Sequence, residues 1–447
     1  MVKAIANRAL QATPIREQFD LPGATGHGGA GPLIDYALKV RRLGGWAAAL
    51  FDDGKAENAR YSGGFDVVLL ILLRPLGFIR PQDFGPVAKD PFLSEKLGAD
   101  RLPDPSTLNR SLHRLEPEDR RRRVRDLNRQ VLTASLLSGG DEPYVILDGD
   151  SSVEVVNGDH VEGAAKGYNP RARGRKSYHP LIFSDGVRDL VLGAWLRPGN
   201  AGDKHDFLAH YRETRAWLAS IDRPIRYARM DRGFRGEDVY AEFEADEVGY
   251  AIKTRETKGV RQALRDAAFV EITCDGDAEQ IEVAEVEVKL TGWSHSRRVV
   301  TVRRRLRDRE QLWLGDWGWR YESIVTNLDW SAEDVWRFYN RRCQAENLIK
   351  ELKDGYGIDK LSTGSFGAND ADLMLKVISY NLVWAFRHDV LPSEWRPFTI
   401  RTLRNVLLRI PAVLRTQGRQ WYIRLASWYA HQEAFAGIRC RVDAMVT

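Results

Sequence analysis

The spacing of apolar and polar positions divides the chain into three stretches. Over 33–137, apolar residues recur at intervals of three and four, as at Ile34, Ala37, Leu38 and Leu43. That spacing predicts helices, with a buried one over 65–76. Over 144–256, short apolar runs alternate with amphipathic stretches. Strands are predicted over 144–148, 177–184, 190–196, 225–231 and 250–253, with helices over 204–220 and 236–246. This rhythm defines an α/β class with a mixed sheet flanked by helices. Over 257–322 the period becomes two and β-branched residues dominate, which predicts strands over 270–273, 281–288 and 298–302. A strand over 323–328 resumes the α/β pattern, and Ser331 caps the helix that follows. Helices over 369–386 and 399–415 complete the chain. The predicted units are therefore 1–137 helical, 138–256 and 323–390 as two halves of one α/β domain, 257–322 a β-rich insertion, and 391–447 helical.

At 447 residues the chain exceeds a single ordinary core. Its net charge of +5 and pI near 9.0 permit a nucleic-acid partner. Cys274, Cys343 and Cys440 form neither a zinc spacing nor a disulfide framework, which points to a reducing compartment. The longest apolar run, 67–73, is too short to cross a bilayer, and no signal-peptide core opens the sequence, so a cytoplasmic protein is expected. The glycine-rich stretch 21–32 lacks the Gly-Lys-Ser/Thr ending of a phosphate cradle.

Two regions carry chemistry suited to DNA. Over 104–115, Leu108, Leu112 and Leu115 share one helical face, leaving Arg110 and Arg114 outward. This has the form of a helix-turn-helix recognition helix or of a small structural helix. Arg120 to Arg123 and Arg125 follow at once, either a solvated face or a phosphate-neutralising run. The insertion interleaves arginines with Trp293, Trp313, Trp317 and Trp319, a composition that suits stacking of an unpaired base.

The stretch 339–353 contains no Gly or Pro and reads as one helix. On it, Tyr339, Arg342, Glu346 and Lys353 fall within an arc of roughly 60°. Asp148 and Asp150 end the first α/β strand on a common face, and Asp231 ends a middle strand. Carboxylates at strand ends, joined by one from a packed helix, can hold two divalent ions for phosphoryl transfer.

These residues carry a resemblance. The chain resembles DDE transposases of bacterial insertion sequences, in particular the cut-and-paste group whose RNase H-like domain is interrupted by a β-rich insertion. Tyr339, Arg342, Glu346 and Lys353 match that group's Tyr-x2-Arg-x3-Glu-x6-Lys signature at every interval. Asp148-Gly149-Asp150-Ser151-Ser152 and Met230-Asp231-Arg232-Gly233-Phe234 match its aspartate regions. The likeness runs from about 144 to 387. The helical unit 1–137 is read as a DNA-binding domain from its own candidate recognition helix and arginine run; the likeness itself implies an RNase H-like fold. It also implies a catalytic and metal-binding set of Asp150, Asp231 and Glu346, with Asp148 as the alternative ligand, and two Mg²⁺ ions that Mn²⁺ can replace. By the same likeness Arg342 and Lys353 hold end phosphates and Tyr339 contacts the backbone near the scissile bond. Trp313 and Trp317 are candidates to receive a flipped base at hairpin ends. The implied partners are terminal inverted repeats, target DNA and a second copy of the chain in the DNA complex, in a bacterial, nucleoid-associated setting. Two other readings compete. One is a transposase-derived DNA-binding protein without catalysis. The other is a haloacid-dehalogenase-type phosphatase that uses the Asp148-Gly149-Asp150 motif.

Overall fold

The computed structural model describes residues 15–53, 59–138, 142–158, 161–167, 169, 172–272, 280–305 and 319–446. Its centre is a nine-stranded mixed sheet. The strands, in chain order, are β1 Val145–Ser151, β2 Leu181–Asp185, β3 Leu190–Trp195, β4 Ile225–Met230, β5 Gly249–Thr254, β6 Val270–Glu271, β7 Ile281–Val288, β8 Arg297–Arg305 and β9 Trp319–Thr326. Across the sheet they run β6-β7-β8-β9-β5-β4-β1-β2-β3. β4 pairs parallel to β1 and to β5, while β2, β3 and β9 join antiparallel. The helices that bear on the site are α1 Gly63–Leu72, α2 Pro105–Arg114, α3 Glu118–Ser138, α4 Ala332–Asn340, α5 Cys343–Tyr356 and α6 Phe366–Asp389. A second, three-stranded sheet carries the hairpin of β10 Ala412–Gln417 and β11 Gln420–Leu425.

Most strands formed where the sequence predicted them, because β-branched and aromatic residues fill a pleated, buried surface. The predicted strand 177–184 is split at Pro180 into Lys176–Tyr178, in a separate small sheet, and Leu181–Asp185, in the central one. Residues of β2 and β3 are buried throughout, as expected of strands covered on both faces. The strands of the β-rich stretch do not stand apart. Ser323 to Thr326 of β9 pair with Thr254 to Ala251 of β5, so β7, β8 and β9 continue the central sheet.

The helical N-terminal stretch shares one hydrophobic core with the sheet, running from Ala30 to Val442. Its pivot is α6, which is buried nearly all round. Asn381 on α6 donates to Asn128 of α3 at 2.8 Å and to the Val191 carbonyl of β3 at 2.9 Å. Arg74 and Lys376 meet the buried Asp372 from either side. In α2, Leu108, Leu112 and Leu115 face inward and Arg110 and Arg114 are exposed, as the spacing predicts. The arginine run beside it is largely committed within the protein. Arg120 and Arg123 pair with Asp53, and Arg121 and Arg125 pair with Asp370.

Two helix expectations are corrected. The stretch 339–353 is two helices, α4 and α5, joined at Arg341 and Arg342. There the amides of Arg342, Gln344 and Ala345 bond three residues back rather than four, tightening the turn. The second correction concerns 399–415. Helix persists only over Ile400–Leu403, widens so that the Arg409 amide reaches the Arg404 carbonyl at 2.9 Å, and ends before Pro411. Proline cannot supply the next helical N–H, and the chain leaves as β10.

Candidate active site

Asp150 and Asp231 meet because their strands are parallel neighbours in register. Gly149 lies opposite Met230, so the next residue on each strand is an aspartate, leaving the sheet at the same end. Parallel strands sit about 4.8 Å apart, so the two carboxylates open beside each other. Gly149 leaves room there for the Met230 side chain. A Cβ at that position would lie 2.4 Å from the Met230 sulfur.

Asp148 has a different fate. Its cross-strand partner is Arg229, and the two form a bidentate ion pair, Nε–Oδ1 2.7 Å and Nη2–Oδ2 2.5 Å. Both side chains are 1% exposed. Burial pushes the Asp148 carboxyl up, and Arg229 opposes that shift. Arg229 also donates to the Phe338 carbonyl at 3.2 Å, which ties α4 to the sheet. Asp148 is therefore walled off from ligand and solvent. It offers neither an accessible metal ligand nor the exposed nucleophile that a phosphatase would need.

The tightened turn between α4 and α5 sends Arg342 into the sheet. One guanidinium nitrogen lies 3.1 Å from Asp150 Oδ2 and the other 3.8 Å from Glu346 Oε1. A longer bond of 3.4 Å reaches the Gly149 carbonyl. Arg342 is buried, Asp150 is 22% exposed and Glu346 is 70% exposed. Arg342 thus bridges the strand carboxylate and the helix carboxylate and turns inward, not toward a surface where a phosphate could lie. Burial pushes the Asp150 carboxyl up; Arg342 offsets this, while Asp231 and Glu346 add to it. Tyr339 is buried behind the same group, and burial raises its hydroxyl pKa, with Asp231 and Asp150 contributing.

Lys353 lies two turns beyond Glu346 on α5, whose end is fixed by Gly357 at φ +64°. It faces Glu154, a carboxylate that burial pushes up to about 8 and that Lys353 and Lys376 pull the other way. Trp313 and Trp317 lie outside the described residues. Of the other tryptophans in the β-rich stretch, Trp293 is faced by Arg297 and Trp319 by Arg303, at 5.5 and 4.6 Å from the ring centres.

Sequence reasoning missed Arg229 and Arg197. Arg229 was detectable as a charge inside an apolar strand, two residues before Asp231. Arg197, 2% exposed, braces the aspartate-bearing end of β1 by donating to Ser151 Oγ at 2.9 Å and to the carbonyls of His179, Asp203 and His205.

Among the described residues no three His, Cys, Asp or Glu side chains form a ready-made metal cage. The donor chemistry nonetheless fits a hard cation. Three carboxylates, Asp150, Asp231 and Glu346, share one field with a single guanidinium among them, and all their donors are oxygen.

Two aspartates thus end a parallel strand pair beside a glutamate-bearing helix. The chain belongs to the DDE transposase family: the family described as Transposase DDE domain group 1 matches residues 10–447. Members of this family use divalent metal ions. No curated protein matches the sequence. Among solved structures, the chain is similar to a cryo-EM structure of a piggyBac transposase synaptic complex with hairpin DNA. Identity is 10%, the match covers 86% of this chain and 82% of that one, and the TM-score is 0.41, too low to bear on mechanism. No helix among the described residues is long and apolar enough to cross a membrane.

Proposed function

We propose that this transposase binds terminal inverted repeats, cuts DNA strands at the transposon ends and joins them to target DNA. The triad is Asp150, Asp231 and Glu346, and Asp150 rather than Asp148 is the first metal ligand. One observation carries the assignment: Asp150 and Asp231 end adjacent parallel strands, and Arg342 ties Asp150 to Glu346.

Two Mg²⁺ ions, replaceable by Mn²⁺, would supply the Lewis acidity that activates the attacking oxygen and steadies the leaving one. The chain's own residues do the rest. Arg342 holds Asp150 and Glu346 in reach of each other and offsets part of their repulsion. Arg229 fixes β1 against β4 through Asp148, so the two strand ends keep their register. Lys353, partly exposed on α5, takes an end phosphate as a point charge. Tyr339 packs beneath the carboxylates and limits the depth to which the scissile backbone enters.

In this reading the α/β core is RNase H-like, with β3-β2-β1-β4-β5 as its sheet and β6 to β9 as the inserted extension. Excision runs through hairpin ends, and the active assembly is a dimer on DNA. The test uses full-length protein, a plasmid bearing the element's own ends, and Mg²⁺. Wild type should release a hairpin-ended fragment. Glu346→Gln should bind the ends within about threefold of wild type and yield no cut product. Wild-type cleavage by the mutant would remove Glu346 from the triad.

A further inference from the structure

The C-terminal hairpin has no part in the site described above, and its chemistry is distinctive. Between Glu394 and Glu433 there is no Asp or Glu, while Arg396, Arg401, Arg404, Arg409, Arg415, Arg419 and Arg424 contribute +7. Subtracting that +7 from the chain's +5 leaves −2 for all other residues. The basic character of the protein therefore resides in this stretch.

Two of these arginines are used internally. Arg404 is buried against the carbonyls of Arg74, Pro75 and Gly355, and Arg409 reaches the Leu76 carbonyl at 3.1 Å. The hairpin's own three are different. Arg415, Arg419 and Arg424 are exposed, and among the described residues their guanidinium groups have no hydrogen-bond or ion-pair partner.

Register sorts the hairpin into two faces. Leu414 pairs with Ile423 and Ala412 with Leu425, and this face packs on the body. Arg415 pairs with Tyr422 and Val413 with Arg424, which places Arg415, Tyr422 and Arg424 together on the opposite face. Gly418, at φ +63°, and Arg419 form the tip. Tyr422 is 44% exposed and Trp421 52% exposed. A twisted two-stranded ribbon has the width of a duplex groove, and arginines along it match the phosphates on either side.

We propose that the β10–β11 hairpin is a duplex-DNA contact separate from the catalytic carboxylates, with Arg415, Arg419 and Arg424 each neutralising a phosphate. This rests on the transposase reading only in taking DNA as the partner; the occupant is argued from charge and from the ribbon's outward face.

The test is fluorescence anisotropy of a labelled 30-base-pair duplex with full-length protein in EDTA, titrated across NaCl concentration. Three phosphate contacts contribute about 2.7 to the log–log salt slope. Between 50 and 200 mM salt, wild type should therefore lose about 40-fold more affinity than the Arg415→Ala/Arg419→Ala/Arg424→Ala variant. The Arg-to-Lys triple, which keeps the charge, should retain the wild-type slope. Equal slopes for wild type and the alanine variant overturn the proposal. So does a loss of slope in the lysine triple, which would trace the effect to folding. Sedimentation velocity without DNA covers a third outcome: if the alanine variant dissociates a wild-type dimer, the ribbon binds a second copy and the DNA assignment fails. Mg²⁺-dependent cleavage is scored separately. An enzyme that cuts but shows no slope change loses only the hairpin, and one that fails to cut yet shows it loses only the catalytic reading.

Discussion

Asp148→Asn and Asp150→Asn are the same chemical change two residues apart on one strand face, and they should separate cleanly. Asp148→Asn leaves Arg229 charged, 1% exposed and without its counter-ion. Removing one partner of a buried pair costs about 3–5 kcal/mol, because the surviving charge stays desolvated. Spread over 447 residues, an unfolding entropy of about 2.1 cal/mol/K per residue converts 4 kcal/mol into a fall in Tm of about 4 °C. Asp150→Asn removes a carboxylate that burial already disfavours and that Asp231 and Glu346 repel. Arg342 keeps the Gly149 carbonyl and the nearby Glu346. Relief of repulsion offsets the lost attraction, so Tm should stay within about 1 °C of wild type. The assay is thermal unfolding in EDTA and then in 10 mM Mg²⁺. Wild type and Asp148→Asn should each gain stability with the ion, since a ligand bound only by the folded state stabilises it. Asp150→Asn should gain little. If Asp148→Asn melts like wild type and loses the Mg²⁺ response, while Asp150→Asn melts low and keeps it, the two roles are exchanged and the assignment is refuted.

Glu154 is 2% exposed, and neither of its carboxylate oxygens has a hydrogen-bond partner among the described residues. Its folded pKa of about 8 lies above the ordinary 4.5, so the fold favours the protonated form. The stability this gives is complete below about pH 4.5 and is lost as pH rises through 8, to a ceiling of about 5 kcal/mol at about 1.4 kcal/mol per unit. Glu154→Gln should flatten that slope; identical urea midpoints against pH for both proteins would count against the burial argument. Lys353→Ala should weaken binding to pre-cut transposon ends and reduce the log–log salt slope by about one unit, read by anisotropy. An unchanged slope would take Lys353 off the phosphate.

What the sequence made legible was set by local rules. Short apolar runs flanked by turn residues gave β1, β4 and β5, and period-two alternation gave β7, whose exposed Glu285 and Glu287 lie between buried positions. Ser331 was read as a cap, and its hydroxyl accepts from the Asp334 amide. The break at Arg341 and Arg342 was not legible. The stretch has good helix formers throughout, and only the pull of Arg342 toward Asp150 explains a turn tightened at that point. The hairpin was hidden in part by Leu403, Val406 and Leu407, which continue a helical spacing toward Pro411; the proline was the available signal.

The choice between Asp148 and Asp150 shows where local reading ends. Period two puts both on one face of β1, and the only local signal that favours Asp150 is Ser152 two residues on, which takes the place of a family Thr. What separates them is a parallel pairing with a strand some eighty residues away. That register sets Arg229 beside Asp148 and sets Asp231 beside Asp150. The same alignment gives one aspartate a cation of its own and the other a second carboxylate. A slip of one residue would put Arg229 on the opposite face and leave both aspartates without these neighbours. The buried pair and the metal-seeking pair are therefore one device: Asp148–Arg229 locks the alignment on which the Asp150–Asp231 juxtaposition depends. A chain that lost the first should lose cleavage at temperatures where β1 and β4 still stay paired but no longer hold that register.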